Sequence, residues 1–483
     1  MRRATVLLCV CVTASIVLAQ SPTDTGPKQP TTGQTSQATE LRIDWDRTNA
    51  EAVQRLADYI RIDTSNPPGN EIRGVEWLKQ IFRAEGIPFE TGESEPGRAS
   101  IAARLKGTGT EPALVLLSHI DVVPVNREFW TVDPFSGEIR DGYLWGRGAV
   151  DTKSLTIAYL EAMLLLHRNR VPLRRDVILL ATADEEAGGA YGAGWVVKNH
   201  PEWIAGAGFL LNEAARALAD DSGKPLYFRV GPTEKTPAWL KLTAKGRAGH
   251  GAIPNPDSAV NRLIAALERL RAYRPPLRVT PPVEYALRTQ APYEPELWRS
   301  PFADIRSYIQ TPGAYEELLK RPPVLALLEN TIAITRLEGS KKINIVPPVA
   351  SAELDCRLLP GTTVEQWIQE VRRVIQDDSI GIDVILNFRP TESKIDTPLH
   401  ASMERAVKQL FPATGLIGAV DTGFTDSHFF REKGITSYGF GPFPMKLDDL
   451  LRVHGNDERI PVDSFTGGVR LMWEIIYDFS RAQ

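Results

Sequence analysis

The sequence predicts an α/β protein whose mixed, mostly parallel sheet is interrupted by a smaller, inserted α+β domain. Two continuous apolar runs, 113–118 and 177–182, are typical of strands buried on both faces, and a helix is predicted at 155–166 between them. Such strand–helix–strand alternation builds a parallel sheet with helices on both faces. Near residue 237 the pattern changes to half-exposed alternating strands, and the α/β character returns at about residue 393.

These changes in pattern divide the chain into domains. A chain of 483 residues is too long for one ordinary core, and we assign residues 41–233 and 393–483 to the α/β domain and 234–392 to the insert. The insert follows the order β-α-β-β-α-β, which predicts helices packed on one face of a small sheet. Its predicted elements are strands at 239–244, 330–337, 350–358 and 384–387 and helices at 259–270 and 364–376. Residues 272–328, rich in proline and aromatic residues, are predicted to be a further insertion.

The N-terminus predicts export. Arg2 and Arg3 precede an apolar run at 6–18, and small residues precede a cleavage point after Ala19, so residues 1–19 are typical of a signal peptide. A membrane anchor is the alternative, but the run is short for a bilayer span. Residues 20–40 have almost no large apolar side chains and are predicted to be a disordered tether. We therefore expect no stable membrane span after processing, and a location in a bacterial periplasm or outside the cell.

Composition narrows the classes of function. A hydrophobic content of 42% and a charged content of 24% are those of a soluble globular protein. The net charge of -4 and the absence of basic runs argue against nucleic acid as a partner. Once the signal peptide is removed, Cys356 is the single cysteine, so no internal disulfide can form.

The first candidate site residues, His119 and Asp121, follow directly after the run at 113–118. Functional groups of open α/β sheets lie at the carboxyl ends of strands. A histidine there can ligate a metal, and an aspartate two residues later can accept its other ring N–H. An ordinary loop pair is the alternative interpretation.

Two acidic motifs follow. Asp151 lies in the glycine-rich segment 145–153, just before the predicted helix, where a helix N-cap is the alternative to a metal ligand. Glu185 and Glu186 follow the run at 177–182, and adjacent carboxylates repel each other unless a cation or a proton offsets their charge. One of them can bind metal while its neighbour acts as a base; a solvated acidic loop is the alternative.

Glu213 and His454 complete the set. Glu213 follows a short apolar stretch at 208–211, which predicts another strand end, and His454 is one of only seven histidines in the chain. The carboxylate and imidazole ligands, with Asp151, are of the kind that zinc takes. Because four of the five predicted ligands follow strands of one sheet, we expect them to converge, with Glu185 left free as a base.

Four motifs together, SHIDVVP, GRGAVDTK, ADEEAGG and VHGNDE, resemble those of the M20 metallopeptidase family. This family includes carboxypeptidase G-type enzymes, aminoacylases, succinyl-diaminopimelate desuccinylases and carnosinase-like dipeptidases. The resemblance covers residues 41–483. It implies a phosphorylase/hydrolase-like catalytic domain that holds two zinc ions per subunit, and an inserted lid domain that often forms a homodimer. Cobalt or manganese fits the same ligands.

The resemblance also implies a role for each ligand. Asp151 would bridge the two metals. His119 and Glu213 would complete one site, and Glu186 and His454 would complete the other.

Further roles follow from the same resemblance. Asp121 would orient His119, and Glu185 would be the general base. In the lid, His250 would stabilise the oxyanion, commonly across a dimer. Asn344 and Arg357 would bind the substrate, and Arg357 would contact the carboxylate of the substrate.

The function that the sequence predicts is hydrolysis of an amide or peptide bond next to a free carboxylate. A carboxypeptidase, a dipeptidase and an N-acyl-amino-acid hydrolase all fit, and the insertion favours the branch that contains carboxypeptidase S and the secreted N-acyl-amino-acid hydrolases. Two alternatives stay open: a two-zinc aminopeptidase, which should lack the lid with its histidine and arginine, and a catalytically silent binding protein of the same fold.

Overall fold

The computed structural model describes residues 41–482. The predicted signal peptide and tether lie outside the described residues. All elements below belong to one unit that begins at Ile43. Within the described part of the chain, no helix is both long enough and apolar enough to cross a bilayer.

An eight-stranded mixed sheet carries the candidate site. Its order is β1-β2-β6-β3-β7-β8-β15, with β16 paired to β7. The pairs β3–β6, β3–β7, β7–β16 and β8–β15 are parallel, and the remaining three pairs are antiparallel. The strands are β1 (Phe89–Glu93), β2 (Ala99–Leu105), β3 (Ala113–His119), β6 (Val177–Thr182), β7 (Ala207–Ala219), β8 (Pro225–Val230), β15 (Gly415–Gly418) and β16 (Thr436–Met445). The α/β class with a mostly parallel sheet is thus confirmed.

The central strands are apolar because helices cover both faces of this sheet. Every residue of β3 and β6 is buried, and the buried helix α3 packs against β3. The first helix begins at Trp45, where the Asp44 side chain caps it by accepting a hydrogen bond from the Arg47 N–H at 3.1 Å. The helices of this part are α1 (Trp45–Ile60), α2 (Ile72–Glu85), α3 (Lys153–Arg168), α4 (Ala193–Asn199), α12 (Pro398–Leu410), α13 (Ser427–Arg431), α14 (Leu447–Leu450) and α15 (Val462–Ser480).

A second, four-stranded antiparallel sheet lies within residues 236–387, in the order β11-β13-β9-β14. We call it the lid sheet. Helices α5 and α11 bury its apolar face, and this cluster includes Trp367 and Cys356. The elements are β9 (Thr236–Lys245), α5 (Ala259–Ala272), β11 (Thr331–Glu338), β13 (Val349–Leu358), α11 (Val364–Ile375) and β14 (Gly381–Asn387), in the predicted β-α-β-β-α-β order.

The segment 272–328 forms short helices that pack on the large sheet. We call it the helical insertion. Its buried cluster includes Val420, which follows β15, and Thr289 Oγ1 accepts a hydrogen bond from the Gly418 N–H at 2.9 Å. The helices are α6 (Pro281–Gln290), α7 (Glu296–Ala303), α8 (Ile305–Tyr308), α9 (Ala314–Leu319) and α10 (Pro322–Leu325). The insertion therefore covers the β15 edge of the large sheet.

Two small sheets complete the described strands. One has the order β17-β5-β4 and joins the chain before Asp151 to the chain after His454. The other is a two-stranded ribbon in the lid. Their strands are β4 (Glu138–Arg140), β5 (Tyr143–Trp145), β10 (Gly249–His250), β12 (Ile345–Val346) and β17 (Arg459–Pro461).

Candidate metal centre

Neighbouring strands bring three of the predicted ligands to one edge of the large sheet. Strand β3 ends at His119, which pairs in register with Thr182 at the end of β6. Glu186 lies in the turn that follows β6, and β7, on the other side of β3, carries Glu213. The parallel alignment of these strands is what places the side chains together.

Glu213 does not follow a strand end, and that expectation is wrong. Strand β7 continues to Ala219, well beyond the predicted 208–211. Directly after Glu213 the backbone is distorted, because Ala214 and Ala215 have positive φ angles of 80° and 44°. This conformation is unfavourable for alanine. Glu213 is therefore presented by an irregularity within a strand rather than by its end.

The loop that carries Asp151 is held by Glu458. Helix α3 begins at Lys153, and its N-cap residue is Thr152, which makes no side-chain cap hydrogen bond. Asp151 precedes the N-cap position and therefore does not act as the helix cap. The Glu458 carboxylate, fully buried, accepts hydrogen bonds from Arg147 Nη1 at 2.6 Å and from the backbone N–H groups of Val150 and Asp151 at 2.8 and 3.1 Å. These bonds fix the position of the aspartate.

The Asp151 carboxylate lies between two groups of ligands. Its Oδ1 lies 3.1 Å from His119 Nε2, which is also 3.3 Å from Glu213 Oε1. Its Oδ2 lies 3.3 Å from His454 Nε2, which is also 3.1 Å from Glu186 Oε2. The two oxygens of one carboxylate thus face two separate imidazole–carboxylate pairs.

The electrostatics of this cluster favour a cation. Burial raises the pKa of Glu186 to about 7 although His454 lowers it, and the nearby charge of Asp151 adds to the rise. Hydrogen bonds with Asp151 and Glu186 raise the pKa of His454 to about 10. Burial alone would lower the pKa of His119, but Glu213 and the other surrounding carboxylates hold it well above its ordinary value. The crowding of buried carboxylates around two imidazoles therefore favours a bound cation.

The residues also offer free donor atoms. Glu186 Oε1 is buried and has no hydrogen-bond partner among the described residues. One donor atom each from His119, Asp151 and Glu186 lie within 4.8 Å of one another, and the same holds for His119, Glu185 and Glu213. Two nitrogen donors with several carboxylate oxygens at this spacing fit a metal centre.

Glu185 is buried beside the ligands, and Asp121 fixes its backbone. Burial and the charge of Glu213 raise the pKa of Glu185 well above its ordinary value. The Asp121 carboxylate accepts hydrogen bonds from the backbone N–H groups of Glu185 and Glu186 at 3.1 and 3.2 Å. His119 Nδ1 lies 2.9 Å from the Asp121 carbonyl oxygen and 3.5 Å from its carboxylate. Asp121 therefore positions both the histidine and the Glu185 turn.

The structure places the predicted lid residues away from this cluster. His250 and Asn344 lie side by side, because β10 pairs with β12 and Gly251 N–H donates to the Asn344 carbonyl at 3.0 Å. The His250 ring is exposed, and its Nδ1 accepts a hydrogen bond from the Ala252 N–H at 3.1 Å. In the described residues, neither side chain makes a hydrogen bond with the predicted metal ligands.

Arg357, on β13, is held on one side only. Its Nε and Nη2 donate to the Asp355 carboxylate at 2.7 and 3.1 Å, and its guanidinium lies over the Phe424 ring. Its Nη1 is buried and has no hydrogen-bond partner among the described residues. Such a free donor is suited to a carboxylate supplied by a ligand.

Residues that the sequence analysis missed also belong to the centre. Arg216 Nη2 donates to Asp151 Oδ2 at 2.9 Å. Asp426 is buried, accepts a hydrogen bond from Thr182 Oγ1 at 3.1 Å and approaches Gly189, where a Cβ would lie 2.1 Å from its Oδ1. The acidic pair Asp457–Glu458 within VHGNDE was a signal for the Glu458 role, whereas nothing in the local sequence marks Arg216.

The comparisons with known proteins agree with this geometry. Residues 115–478 match the family model described as peptidase family M20/M25/M40. The chain belongs to this family. It is therefore an amidohydrolase or peptidase of a metal-dependent family, and the resemblance seen in its sequence is confirmed.

Relatives in the M20 family cover nearly the whole chain. The human N-fatty-acyl-amino acid synthase/hydrolase PM20D1 is 28% identical over 97% of this chain and 96% of its own length. Pig (Sus scrofa) aminoacylase-1 is 28% identical over 88% of this chain and 94% of its own length. In fold, the chain is similar to the M20 family metallo-carboxypeptidase Sso-CP2 from Sulfolobus solfataricus, with a TM-score of 0.68 at 17% identity, over 89% of this chain and 99% of that one.

Proposed function

We propose that this M20 protein is an exported amidohydrolase that binds two zinc ions and cleaves the amide bond of N-acyl amino acids, next to their free carboxylate. One observation carries the proposal: the two oxygens of Asp151 face two imidazole–carboxylate pairs, and the buried Glu185 lies beside them. The names of the relatives, an N-fatty-acyl-amino acid synthase/hydrolase and an aminoacylase, favour acyl amino acids over dipeptides.

The residues of the cluster would divide between the two metals. His119 and Glu213 would hold one ion, Glu186 and His454 the other, and Asp151 would bridge them. Zinc, when bound, supplies Lewis acidity that polarises the scissile carbonyl and lowers the pKa of water. Mixed nitrogen and oxygen ligands suit zinc, and cobalt or manganese can replace it at the same donors.

Glu185 would move the proton. It takes a proton from the attacking water as the new C–O bond forms at the scissile carbonyl, and it delivers that proton to the amine nitrogen as the C–N bond breaks. Burial raises the pKa of this carboxyl, which increases its affinity for the proton that it takes from the water. The bonds from Asp121 to the backbone of this turn would keep Glu185 in place during both steps.

Arg357 would bind the substrate carboxylate. Asp355 orients the guanidinium through two hydrogen bonds, and the free Nη1 is available for the ligand. His250 and Asn344 would join the site by closure of the lid or from a partner subunit of a homodimer. His250 would then stabilise the oxyanion, to which one such donor contributes about 3–4 kcal/mol.

Export completes the proposal. The predicted signal peptide, residues 1–19, and the predicted tether would place the mature protein in a bacterial periplasm or outside the cell. Small peptides remain a second substrate class, since the same anchor would bind their terminal carboxylate.

A matched substrate panel tests this function. The mature protein, supplied with zinc, is assayed against N-acyl amino acids, dipeptides and the same compounds with the carboxylate amidated. We expect cleavage of the N-acyl amino acids that requires the free carboxylate, and loss of this requirement in Arg357→Met with metal content unchanged. Equal cleavage of the amidated compounds, or a need for a free amine, would favour the aminopeptidase alternative. No cleavage of any compound by metal-loaded protein would favour the binding protein.

A further inference from the structure

A large cavity lies between part of the helical insertion and the eight-stranded sheet. Its volume is about 520 Å³, within the range of small-molecule pockets. Ala286, Phe302 and Val324 line it from the insertion, and Leu218 and Tyr227 line it from β7 and β8. No role described above uses this space.

The cavity borders the candidate metal centre through Arg216. Arg216 lines it and also donates to Asp151 Oδ2 at 2.9 Å. Arg216 and Leu450 also line a smaller pocket, whose other walls include Glu213 and Thr152. A ligand that reacts at the metal centre can therefore extend past Arg216 into the space under the insertion.

The charged residues that line the cavity make contacts within the protein, although Arg321 Nη1 is buried and has no hydrogen-bond partner among the described residues. Asp421 accepts hydrogen bonds from the Ala215 N–H at 3.3 and 3.2 Å. Arg321 donates to Glu294 at 2.9 Å and lies over the Phe302 ring. Arg229 lies over the Tyr227 ring, with its guanidinium 5.1 Å from the ring centre. Much of the remaining lining is hydrocarbon and aromatic, so an uncharged apolar chain is the ligand that fits it.

We infer that this cavity binds the hydrocarbon chain of the substrate acyl group, and that the helical insertion sets the length of chain accepted. The inference rests on the proposed function, in which the lid residue Arg357 binds the amino-acid carboxylate. The cavity is built by the large sheet and the insertion instead, so it is left for the acyl side of the scissile bond. The substrates selected are N-acyl amino acids with medium or long aliphatic chains.

The test measures kcat/KM for a series of N-acyl amino acids from acetyl to dodecanoyl. For the wild type we expect a rise of up to about fourfold per added methylene until the cavity is filled. Ala286→Phe fills part of the cavity from the insertion, and Leu218→Trp fills part of it from β7. Because the two substitutions lie on different walls, the test can still be made with one variant if the other does not fold. Both should remove the gain for long chains while acetyl substrates are cleaved as before. Arg288→Phe, on the exposed side of α6, is the matched control and should keep the wild-type profile.

Calorimetric binding of dodecanoate, the acyl product, gives a second measurement that needs no turnover. Binding that weakens at least about tenfold in Ala286→Phe and Leu218→Trp, but not in Arg288→Phe, supports the cavity assignment. This holds even if no substrate is cleaved, because the absence of cleavage would contradict only the proposed function. Cleavage of acetyl substrates with a flat chain-length profile overturns the cavity assignment alone. Filled variants that keep the wild-type profile and dodecanoate affinity overturn it as well.

Discussion

Arg216 donates a hydrogen bond to Asp151 Oδ2 at 2.9 Å, and the same oxygen faces His454 Nε2 at 3.3 Å. The other oxygen, Oδ1, faces His119. The two halves of the centre are therefore unequal, since the oxygen on the His454 side carries a cationic donor. A guanidinium at this distance repels a dication bound at the same carboxylate oxygen, and this repulsion weakens metal binding on that side.

The first prediction concerns the second metal. Arg216→Met should tighten the weaker of two zinc-binding events by about tenfold, or about 1.4 kcal/mol, because it removes the repulsion between the guanidinium and the metal ion while all five ligands remain. Titration calorimetry of the metal-free protein measures both events. Arg229→Met is the matched control, since this arginine lines the same cavity but donates to Tyr227. Equal affinities in wild type and Arg216→Met would contradict the asymmetry.

The second prediction separates the base from the ligand. Glu185→Gln should lower kcat by about 10²–10⁴-fold, because the amide cannot accept the proton, while two zinc ions stay bound. Glu186→Gln should instead lose the metal on the His454 side, since its Oε2 lies 3.1 Å from that histidine. Metal content by mass spectrometry distinguishes the two variants. Substantial turnover by Glu185→Gln would remove the proposed role of Glu185.

The sequence predicted those parts of the centre that depend on short motifs. His119 and the Glu185–Glu186 pair follow buried strands, and the apolar runs at 113–118 and 177–182 are enough to predict both strands. The prediction that Glu213 follows a strand end was wrong. The distorted backbone at Ala214 and Ala215 leaves no pattern in the sequence that differs from the pattern of a strand end.

Contacts between distant parts of the chain could not be predicted from the sequence. Arg147 and Glu458 are 311 positions apart, and Arg216 lies 65 positions from Asp151. Pairing at such separations is decided by how the sheet and its connections pack. The surface on which the helical insertion packs could not be predicted for the same reason, since apolar side chains do not specify which apolar surface they contact.

The third prediction concerns Glu458. Glu458→Gln should lower the free energy of unfolding by about 3 kcal/mol, because it leaves the buried Arg147 without an anionic partner. It should also weaken zinc binding, because the single acceptor oxygen of glutamine cannot serve both Arg147 and the N–H groups of Val150 and Asp151 that fix the loop. Denaturant unfolding and zinc titration measure the two effects. The neighbouring Asp457→Asn, which alters exposed bonds to Thr131, should change neither strongly. Zinc affinity unchanged in Glu458→Gln would show that Glu458 has no positioning role.

The fourth prediction is a pH dependence of stability set by His428. This ring is buried, stacks on Phe388 at 3.6 Å between ring centres, and has no hydrogen-bond partner on either nitrogen among the described residues. Burial, with the charge of Arg431, lowers the pKa of His428 to about 3. Glu432, directly after α13, has a carboxylate oxygen 3.6 Å from the His428 Nδ1.

The sign follows from the proton count. Between pH 6.5 and about 3 the unfolded chain protonates His428 and the folded chain does not, so stability falls as the pH falls through this window. From pH 6.5 to pH 5 the loss from this one group is about 2 kcal/mol. His428→Phe keeps the stacking and removes the titration, so it should flatten this part of the profile relative to wild type, as measured by urea unfolding at each pH. His200→Phe, at a side chain that is 30% exposed, controls for the loss of a histidine. A profile in His428→Phe as steep as that of wild type would mean that the ring is solvated in solution, and that α13 does not stay packed on the Phe388 segment.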